Sequence, residues 1–357
     1  MASVSATPSA KRGGRRFLRG CRTALAWLGQ LLLIAWTTLA IYYSNLPWPH
    51  ARLAMAVAFS VFGVVALWIM RGRRWRIAFT LVFLGILTWW ILIPPSHDRP
   101  WRAEVAALPR AEIDGDLVRI ENYRNFLFRS RNDFDVRLEE RVVDISHIVS
   151  VDLFISYWVP GPVGHTFLSF NLDDGSPPVC ISIETRPEEG ESFDPLASMF
   201  KQFELIYVIG DERDIVGVRA SHRNEQVYLY RIRSSPEQAR ALFRIYLERI
   251  NHLAEHPEWY HLLRNNCTIN IIRYSRAVGG GHRRLALAHL LNGLIDRYVY
   301  HLGIVDTSLG FEELRRRSNI TETAKAAADT DDFSVRIREG LPWPTEPGQA
   351  TATTSRE

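Results

Sequence analysis

The chain has 357 residues and a formal net charge of +4 at pH 7, with 43 Lys and Arg residues against 39 Asp and Glu residues. These charges are unevenly distributed: the residues before Asp98 carry 11 of the basic residues and no acidic one, whereas the remainder carries 32 basic against 39 acidic residues. A mildly acidic main region argues against a nucleic-acid-binding protein, so no nucleic-acid partner is predicted.

The first hundred residues contain three apolar stretches without charged side chains: Ala24 to Tyr43, Leu53 to Met70 and Ile77 to Ile93. Each is close to the roughly 17 to 25 residues that a transmembrane helix needs. Basic residues cluster within 11–22 and 71–76, and the positive-inside rule places both clusters in the cytoplasm. Three crossings then leave everything after Ile93 outside the cytoplasm.

Two other interpretations of the N-terminus fit less well. A cleavable signal peptide would end in a small-residue cleavage site, but two more apolar stretches follow the first, and no Ala-x-Ala pattern closes it. The string Arg15-Arg16-Phe17-Leu18-Arg19 has only a faint similarity to a twin-arginine signal. The predicted organisation is a basic cytoplasmic segment (1–23), three transmembrane helices (24–93), a Pro-containing linker (94–109), an extracytoplasmic domain (110–321) and a poorly ordered tail (322–357).

The extracytoplasmic region is predicted to have an α+β fold, in which an antiparallel sheet precedes packed helices. Asp173-Asp174-Gly175 separates two of the strands and is typical of a hairpin turn. The helix over Leu285 to Leu302 contains Asp296 and Arg297, which favour a packed or interfacial helix over a fourth membrane span. The predicted strands are Leu117 to Ile120, Phe154 to Val159, His165 to Phe170, Cys180 to Glu184, Leu205 to Ile209 and Val227 to Ile232, and the other predicted helices are Pro236 to Leu253 and Cys267 to Val278.

The strongest candidate for chemistry is Cys267, which lies where a polar loop turns into a helix-patterned segment. Unpaired backbone N–H groups at a helix N-terminus stabilise a thiolate and lower its pKa from about 8.5. His165 lies on a strand and is the candidate base, with Glu184 on the next strand as the residue that would orient its ring. A shift of one residue in strand register would replace Glu184 by Thr185.

Other uses of these residues are compatible with the sequence. Cys267 could form a structural disulfide with Cys180 in an oxidising compartment, or it and His165 could both be packing residues. No cofactor and no metal site is predicted, because the neighbouring histidines flank a loop break at Pro257 without zinc-ligand spacing. These histidines are His252, His256 and His261.

Several short motifs occur in order over most of Trp101 to Val278. They are Tyr123-Arg124-Asn125-Phe126, Gly164-His165-Thr166-Phe167-Leu168-Ser169-Phe170, Ser182-Ile183-Glu184-Thr185-Arg186, Gln202-Phe203-Glu204-Leu205-Ile206-Tyr207, Asp211-Glu212-Arg213-Asp214, Val227-Tyr228-Leu229-Tyr230 and Trp259-Tyr260-His261-Leu262-Leu263-Arg264-Asn265-Asn266-Cys267-Thr268. Taken together, these motifs resemble the Lnb N-terminal periplasmic domain family. The resemblance implies a circularly permuted papain-like domain in the periplasm, anchored in the bacterial inner membrane, with Cys267 as nucleophile and His165 as base.

The family's namesake is associated with N-acylation of bacterial lipoproteins, so the resemblance implies membrane lipids and a lipoprotein acceptor as partners. This chain differs from the namesake because its apolar helices precede the domain. The sequence therefore predicts a membrane-anchored cysteine acyltransferase that forms an acyl-Cys267 thioester. The alternatives are a cell-wall amidase or peptidase that uses the same Cys-His pair, and a non-catalytic domain that binds lipid or a partner.

Overall fold

The structure is a computed structural model that describes residues 9–159, 161, 163–279 and 292–344. The chain divides into two compact units. The first comprises Met1–Pro94 with Phe200–Gln202, and the second comprises Pro95–Met199 with Phe203–Glu357.

The first unit is helical, as expected of a chain segment with three long apolar stretches. Its helices are α1 (Ser9–Tyr42), α2 (Pro49–Val64), which continues as a π-helical turn (Val65–Ile69), and α3 (Arg73–Leu92). By length and composition, the described residues contain three candidate membrane spans: Phe17–Tyr42, Pro49–Ile69 and Arg73–Leu92. These correspond to the three stretches predicted from the sequence.

Close contacts between small and apolar side chains hold these helices together. A Cβ atom on Gly63 of α2 would lie only 2.9 Å from the side chain of Ile34, so a larger residue would push α1 and α2 apart. Thr38 and Ser60 share a hydrogen bond of 2.7 Å between the same two helices. Small residues and hydroxyl groups at such contacts are typical of helices that pack within a bilayer.

The second unit contains a sheet of eight strands among the described residues. The strands are β1 (Arg110–Asp114), β2 (Leu117–Arg124), β5 (Leu138–Asp144), β6 (Ile148–Tyr157), β7 (His165–Leu172), β8 (Val179–Arg186), β9 (Glu204–Gly210) and β10 (Gln226–Ile232), while β3 (Leu127–Phe128) and β4 (Phe134–Asp135) form a separate pair. The order along the sheet is β1-β2-β9-β8-β7-β6-β10, and β5 also pairs with β2. All neighbours pair antiparallel except β2 and β9.

Helices cover the sheet. The helix that begins at Pro236 starts from a capping box formed by Ser235 and Gln238. The α-helices of this unit are α4 (Glu212–Ile215), α5 (Pro236–Glu255), α6 (Cys267–Ala277), α7 (Ile295–His301), α8 (Phe311–Arg317), α9 (Thr321–Ala326) and α10 (Phe333–Arg336), with a π-helical turn at Val218–His222 and 3-10 turns at Ala103–Val105, Ile145–His147, Ala197–Met199 and Asn292–Leu294. The predicted α+β fold class is confirmed.

The contact between β2 and β9 explains one glycine. A Cβ atom on Gly210 would collide with the carbonyl oxygen of Arg124 on the neighbouring strand. Arg124 also forms two hydrogen bonds with the carboxylate of Asp214, at 2.9 and 2.6 Å. Only glycine permits this approach, which joins the β1-β2-β5 end of the sheet to its centre.

The prediction of a poorly ordered tail is wrong for residues 322–344. Phe333 and Ile337 are buried in a core cluster with strand residues, and Arg338 forms ion pairs with Asp152 and Glu212. The prediction was based on the Ala, Asp, Pro and Thr bias of this segment, but the segment also contains a few apolar residues at helical spacing, which suffice to bury one face. Residues 345–357 of the predicted tail lie outside the described residues.

The predicted linker over 94–109 is also wrong in large part, because residues from Pro95 onwards belong to the second unit. Trp101 and Val105 are buried, and the Arg186 guanidinium lies 4.3 Å from the ring centroid of Trp101. The helix predicted over Leu285 to Leu302 begins as an α-helix at Ile295, and its residues up to 291 lie outside the described residues. Asp296 is buried beside Arg315, which agrees with a packed helix.

Candidate active site

The strand β7 begins at His165 and fixes this side chain between two neighbouring strands. On one side His165 pairs with Ser156 of β6. On the other side Phe167 pairs with Ser182 of β8, and continuing the register by two residues places Glu184 opposite His165. The predicted pairing of His165 and Glu184 is therefore the one adopted, and the alternative that would bring in Thr185 does not occur.

The helix α6 begins at Cys267, as predicted, because the two preceding asparagines organise its first turn. The side chain of Asn266 caps the helix by accepting a hydrogen bond of 2.8 Å from the backbone N–H of Ile269. Asn265 donates to the carbonyl of Trp259 at 3.0 Å and accepts from Asn270 at 2.9 Å. The loop is thereby tied to the helix, and Cys267 sits at the positive end of the helix dipole with only 1% of its surface exposed.

Cys267 and His165 meet in space and share a hydrogen bond. Burial alone would raise the pKa of the Cys267 thiol. The charge of His165, its hydrogen bond and further hydrogen bonds from the side chain and backbone of Thr166 outweigh burial and lower the pKa from 9.0 to about 7. A substantial fraction of the thiol is consequently ionised near neutral pH, and the thiolate is the nucleophilic form.

The imidazole of His165 is hydrogen-bonded to Ser182, a residue that the sequence did not indicate. The Oγ atom of Ser182 lies 2.7 Å from Nε2 of His165. Glu184, the predicted third residue, has its carboxylate 3.9 Å from the same nitrogen, beyond hydrogen-bonding distance. Ser182 lies two residues before Glu184 on the same face of β8, so strand alternation was the signal that could have identified it.

The carboxylate of Glu184 is held by Arg219, at 2.7 Å. Burial raises the pKa of Glu184, but the charges of Arg219 and His165 more than compensate and hold it far below its usual range. Arg219 is itself buried, and its guanidinium lies 4.8 Å from the ring centroid of Phe167. Glu184 thus remains a negative charge next to His165.

Tyr260 is a second residue of the site that the sequence analysis did not select, although it belongs to the quoted motif around Cys267. Its side chain is buried and hydrogen-bonded to Cys267. Burial and the nearby Cys267 raise the pKa of Tyr260 well above 10, so its hydroxyl stays protonated and able to donate. A neutral donor beside the sulfur is suited to stabilise an oxyanion that forms there.

The Cys267–His165 pair opens into a cavity of about 350 Å³. Its walls combine charged residues with large apolar ones. The lining includes Arg131, Trp158, Glu184, Phe193, Arg219 and Tyr260. A buried nucleophile therefore faces a space that takes a small substrate group.

All three cysteines, which fall within the described residues, are free thiols. The alternative of a structural disulfide between Cys180 and Cys267 is therefore wrong. Cys180 is buried in an apolar cluster on β8, where burial raises the pKa of its thiol. Cys180 behaves as a small core residue, unlike Cys267.

Comparison with known proteins gives one family. Residues 135–297 match the Lnb N-terminal periplasmic domain, and this range contains His165, Ser182, Glu184 and Cys267. No curated protein and no solved structure matches the chain. A periplasmic domain that follows three candidate membrane spans makes this a membrane-associated protein with an extracytoplasmic domain.

Proposed function

We propose, from the premise that residues 135–297 belong to the Lnb N-terminal periplasmic domain family, that this protein is a membrane-anchored cysteine acyltransferase acting on lipid or lipoprotein substrates. The observation that carries the proposal is the hydrogen-bonded Cys267–His165 pair, in which the pKa of the thiol is lowered to about 7. Structural cysteines in apolar surroundings instead have a raised pKa, as Cys180 does. The lowered pKa therefore favours a nucleophile over a packing residue.

The proposed reaction has two steps. The Cys267 thiolate attacks the carbonyl carbon of an acyl ester, and the backbone N–H groups at the start of α6 stabilise the oxyanion. His165, as the imidazolium, protonates the departing alcohol oxygen, which leaves an acyl-Cys267 thioester and a neutral imidazole. An acceptor amine then attacks the thioester, His165 takes its proton, and the thiolate is released.

Glu184 and Ser182 support His165 in this cycle. The negative charge of Glu184 stabilises the imidazolium that exists before the alcohol leaves and again after the amine attacks. The hydrogen bond with Ser182 fixes the ring orientation. Both are positioning residues, because neither contacts the reacting atoms.

The apolar helices supply the second argument. Long-chain acyl donors reside in bilayers, and three candidate spans tether the domain to one. We propose a multi-pass protein of the bacterial inner membrane with the domain in the periplasm. The acceptor proposed is the amino group of a lipoprotein.

The test is to incubate purified full-length protein with native membrane lipids and analyse the Cys267 peptide by mass spectrometry. A hydroxylamine-sensitive acyl adduct is expected in the wild type and absent from Cys267→Ala. The absence of an adduct on a readily alkylated Cys267, with peptides released from isolated peptidoglycan, would replace the proposal by an amidase or peptidase. A Cys267 that also resists alkylation would replace it by a non-catalytic binding domain.

A further inference from the structure

A second cavity lies behind the catalytic pair, on the helix-covered face of the sheet. Its volume is about 210 Å³, and its lining is dominated by aliphatic side chains from β6, β7, β10, α5, α6 and α7. The lining includes Leu153, Leu168, Leu242, Ile271, Ile295 and Val299. The cavity is therefore suited to hydrocarbon.

The local geometry of two elements brings this cavity up to the nucleophile. Successive residues of a strand point to opposite faces, so His165 lines the polar cavity while Thr166 lines the apolar one. In the same way Cys267 lines the polar cavity, and the next residue of α6, Thr268, lines the apolar one. The catalytic pair and the two threonines thus lie back to back.

Thr166 and Thr268 form the boundary between the two cavities. Both are fully buried, and their hydroxyl oxygens share a hydrogen bond of 2.9 Å. Thr166 is also hydrogen-bonded to Cys267. The sulfur of Cys267 is consequently separated from the apolar cavity by a single pair of side chains.

We propose that this apolar cavity receives the hydrocarbon chain of the acyl group carried by Cys267, with the chain passing the Thr166–Thr268 pair. The inference rests on the proposed acyl-thioester function and adds where the acyl chain binds, in a site that favours medium-length or longer chains over acetyl or aminoacyl groups. By proportion to a cavity of about 150 Å³ that takes up benzene, 210 Å³ holds about eight carbons. The polar cavity then remains for the leaving group and the acceptor.

The test is a chain-length series of 4-nitrophenyl esters, with the initial burst of nitrophenolate measuring acylation of Cys267 in the full-length detergent-solubilised protein. Burying one methylene contributes about fourfold, so the octanoyl ester is expected to react between about 10-fold and 200-fold faster than the butanoyl ester. Little further gain is expected beyond about ten carbons. Equal rates for the two esters would overturn the proposal.

Two substitutions on α6 are expected to change the preferred acyl chain length in opposite directions. Ser275 is half-buried and lines the cavity, so Ser275→Phe fills it and removes the preference for octanoyl over butanoyl. Ile272→Ala enlarges the cavity and moves the optimum to longer chains. Ala277→Phe is the matched control, because Ala277 is exposed on the same helix and does not line the cavity. A preference unchanged in both cavity variants would count against the proposal.

A chemical readout independent of turnover separates this inference from the proposed function. An octanoic acid with a terminal diazirine is photo-crosslinked to Cys267→Ala, and the modified peptides are mapped by mass spectrometry. Crosslinks to the lining residues of α5, α6 or α7 support binding of the acyl chain in this cavity, even if no ester gives a burst. The absence of a burst would refute only the proposed acyltransferase activity. Crosslinks confined to other parts of the domain would refute acyl-chain binding in this cavity, whatever the burst shows.

Discussion

Replacing His165 by Gln tests the origin of the thiol reactivity. In the wild type the pKa of Cys267 is about 7. Burial raises this pKa, and the charge and hydrogen bond of His165 are the largest of the interactions that lower it. Gln retains a polar side chain of similar reach but carries no charge. Because burial alone raises the value, the pKa of Cys267 in the variant is expected to rise to 9.0 or above.

The magnitude follows from ionisation and nucleophilicity. At pH 7 a thiol with a pKa of about 7 is about half ionised and one with a pKa of about 9 is about 1% ionised, a ratio of about 50. The thiolate of higher pKa is more nucleophilic by about eightfold for a Brønsted coefficient of about 0.45. Alkylation of the variant is therefore expected to be about sixfold slower at pH 7 but faster than wild type at pH 10.

The assay is the rate of iodoacetamide alkylation of the Cys267 peptide between pH 5 and pH 10. The expected profile has its inflection near pH 7 in the wild type and at pH 9 or above in His165→Gln, so the two curves cross. His147→Gln is the matched control, since His147 is half exposed and paired with Asp173. An inflection that stays near pH 7 in His165→Gln would refute the assignment of the lowered pKa to His165.

Three further substitutions probe single contacts. Ser182→Ala removes the hydrogen bond with His165 and is expected to slow thioester formation about two- to tenfold while the unfolding temperature stays unchanged, and an unchanged rate would remove Ser182 from the site. Arg338→Met removes the ion pair of the buried Glu212 carboxylate and is expected to lower the free energy of unfolding by about 3–5 kcal/mol. In a thermal denaturation scan the unfolding temperature should fall by about 10 °C, and a shift below about 2 °C would contradict this. Gly210→Ala forces β2 and β9 apart and is expected to lower the same temperature by about 2–10 °C, whereas an unchanged value would mean that the strands separate without cost.

The sequence alone determined the features that depend on local pattern. Charge-free apolar stretches identified the three candidate spans, because length and hydrophobicity suffice for that decision. The strand-like alternation of residues after Gly164 placed His165 at the start of a strand. The polar loop before an apolar, helix-patterned segment placed Cys267 at the start of a helix. The sequence also named Glu184 as the residue opposite His165, but it left a one-residue shift to Thr185 open until the strand pairing was known.

Only the tertiary structure decided which of these residues contact one another. Glu184 is opposite His165 in the ladder, but Arg219 from a distant π-helical turn holds its carboxylate, and Ser182 makes the hydrogen bond. Residues 322–344 were predicted to be poorly ordered because of their Ala, Asp, Pro and Thr bias, yet burying Phe333 and pairing Arg338 fixes them on the domain. Such contacts join residues far apart in the chain, and their energies depend on burial and distance, which no local pattern of sequence contains.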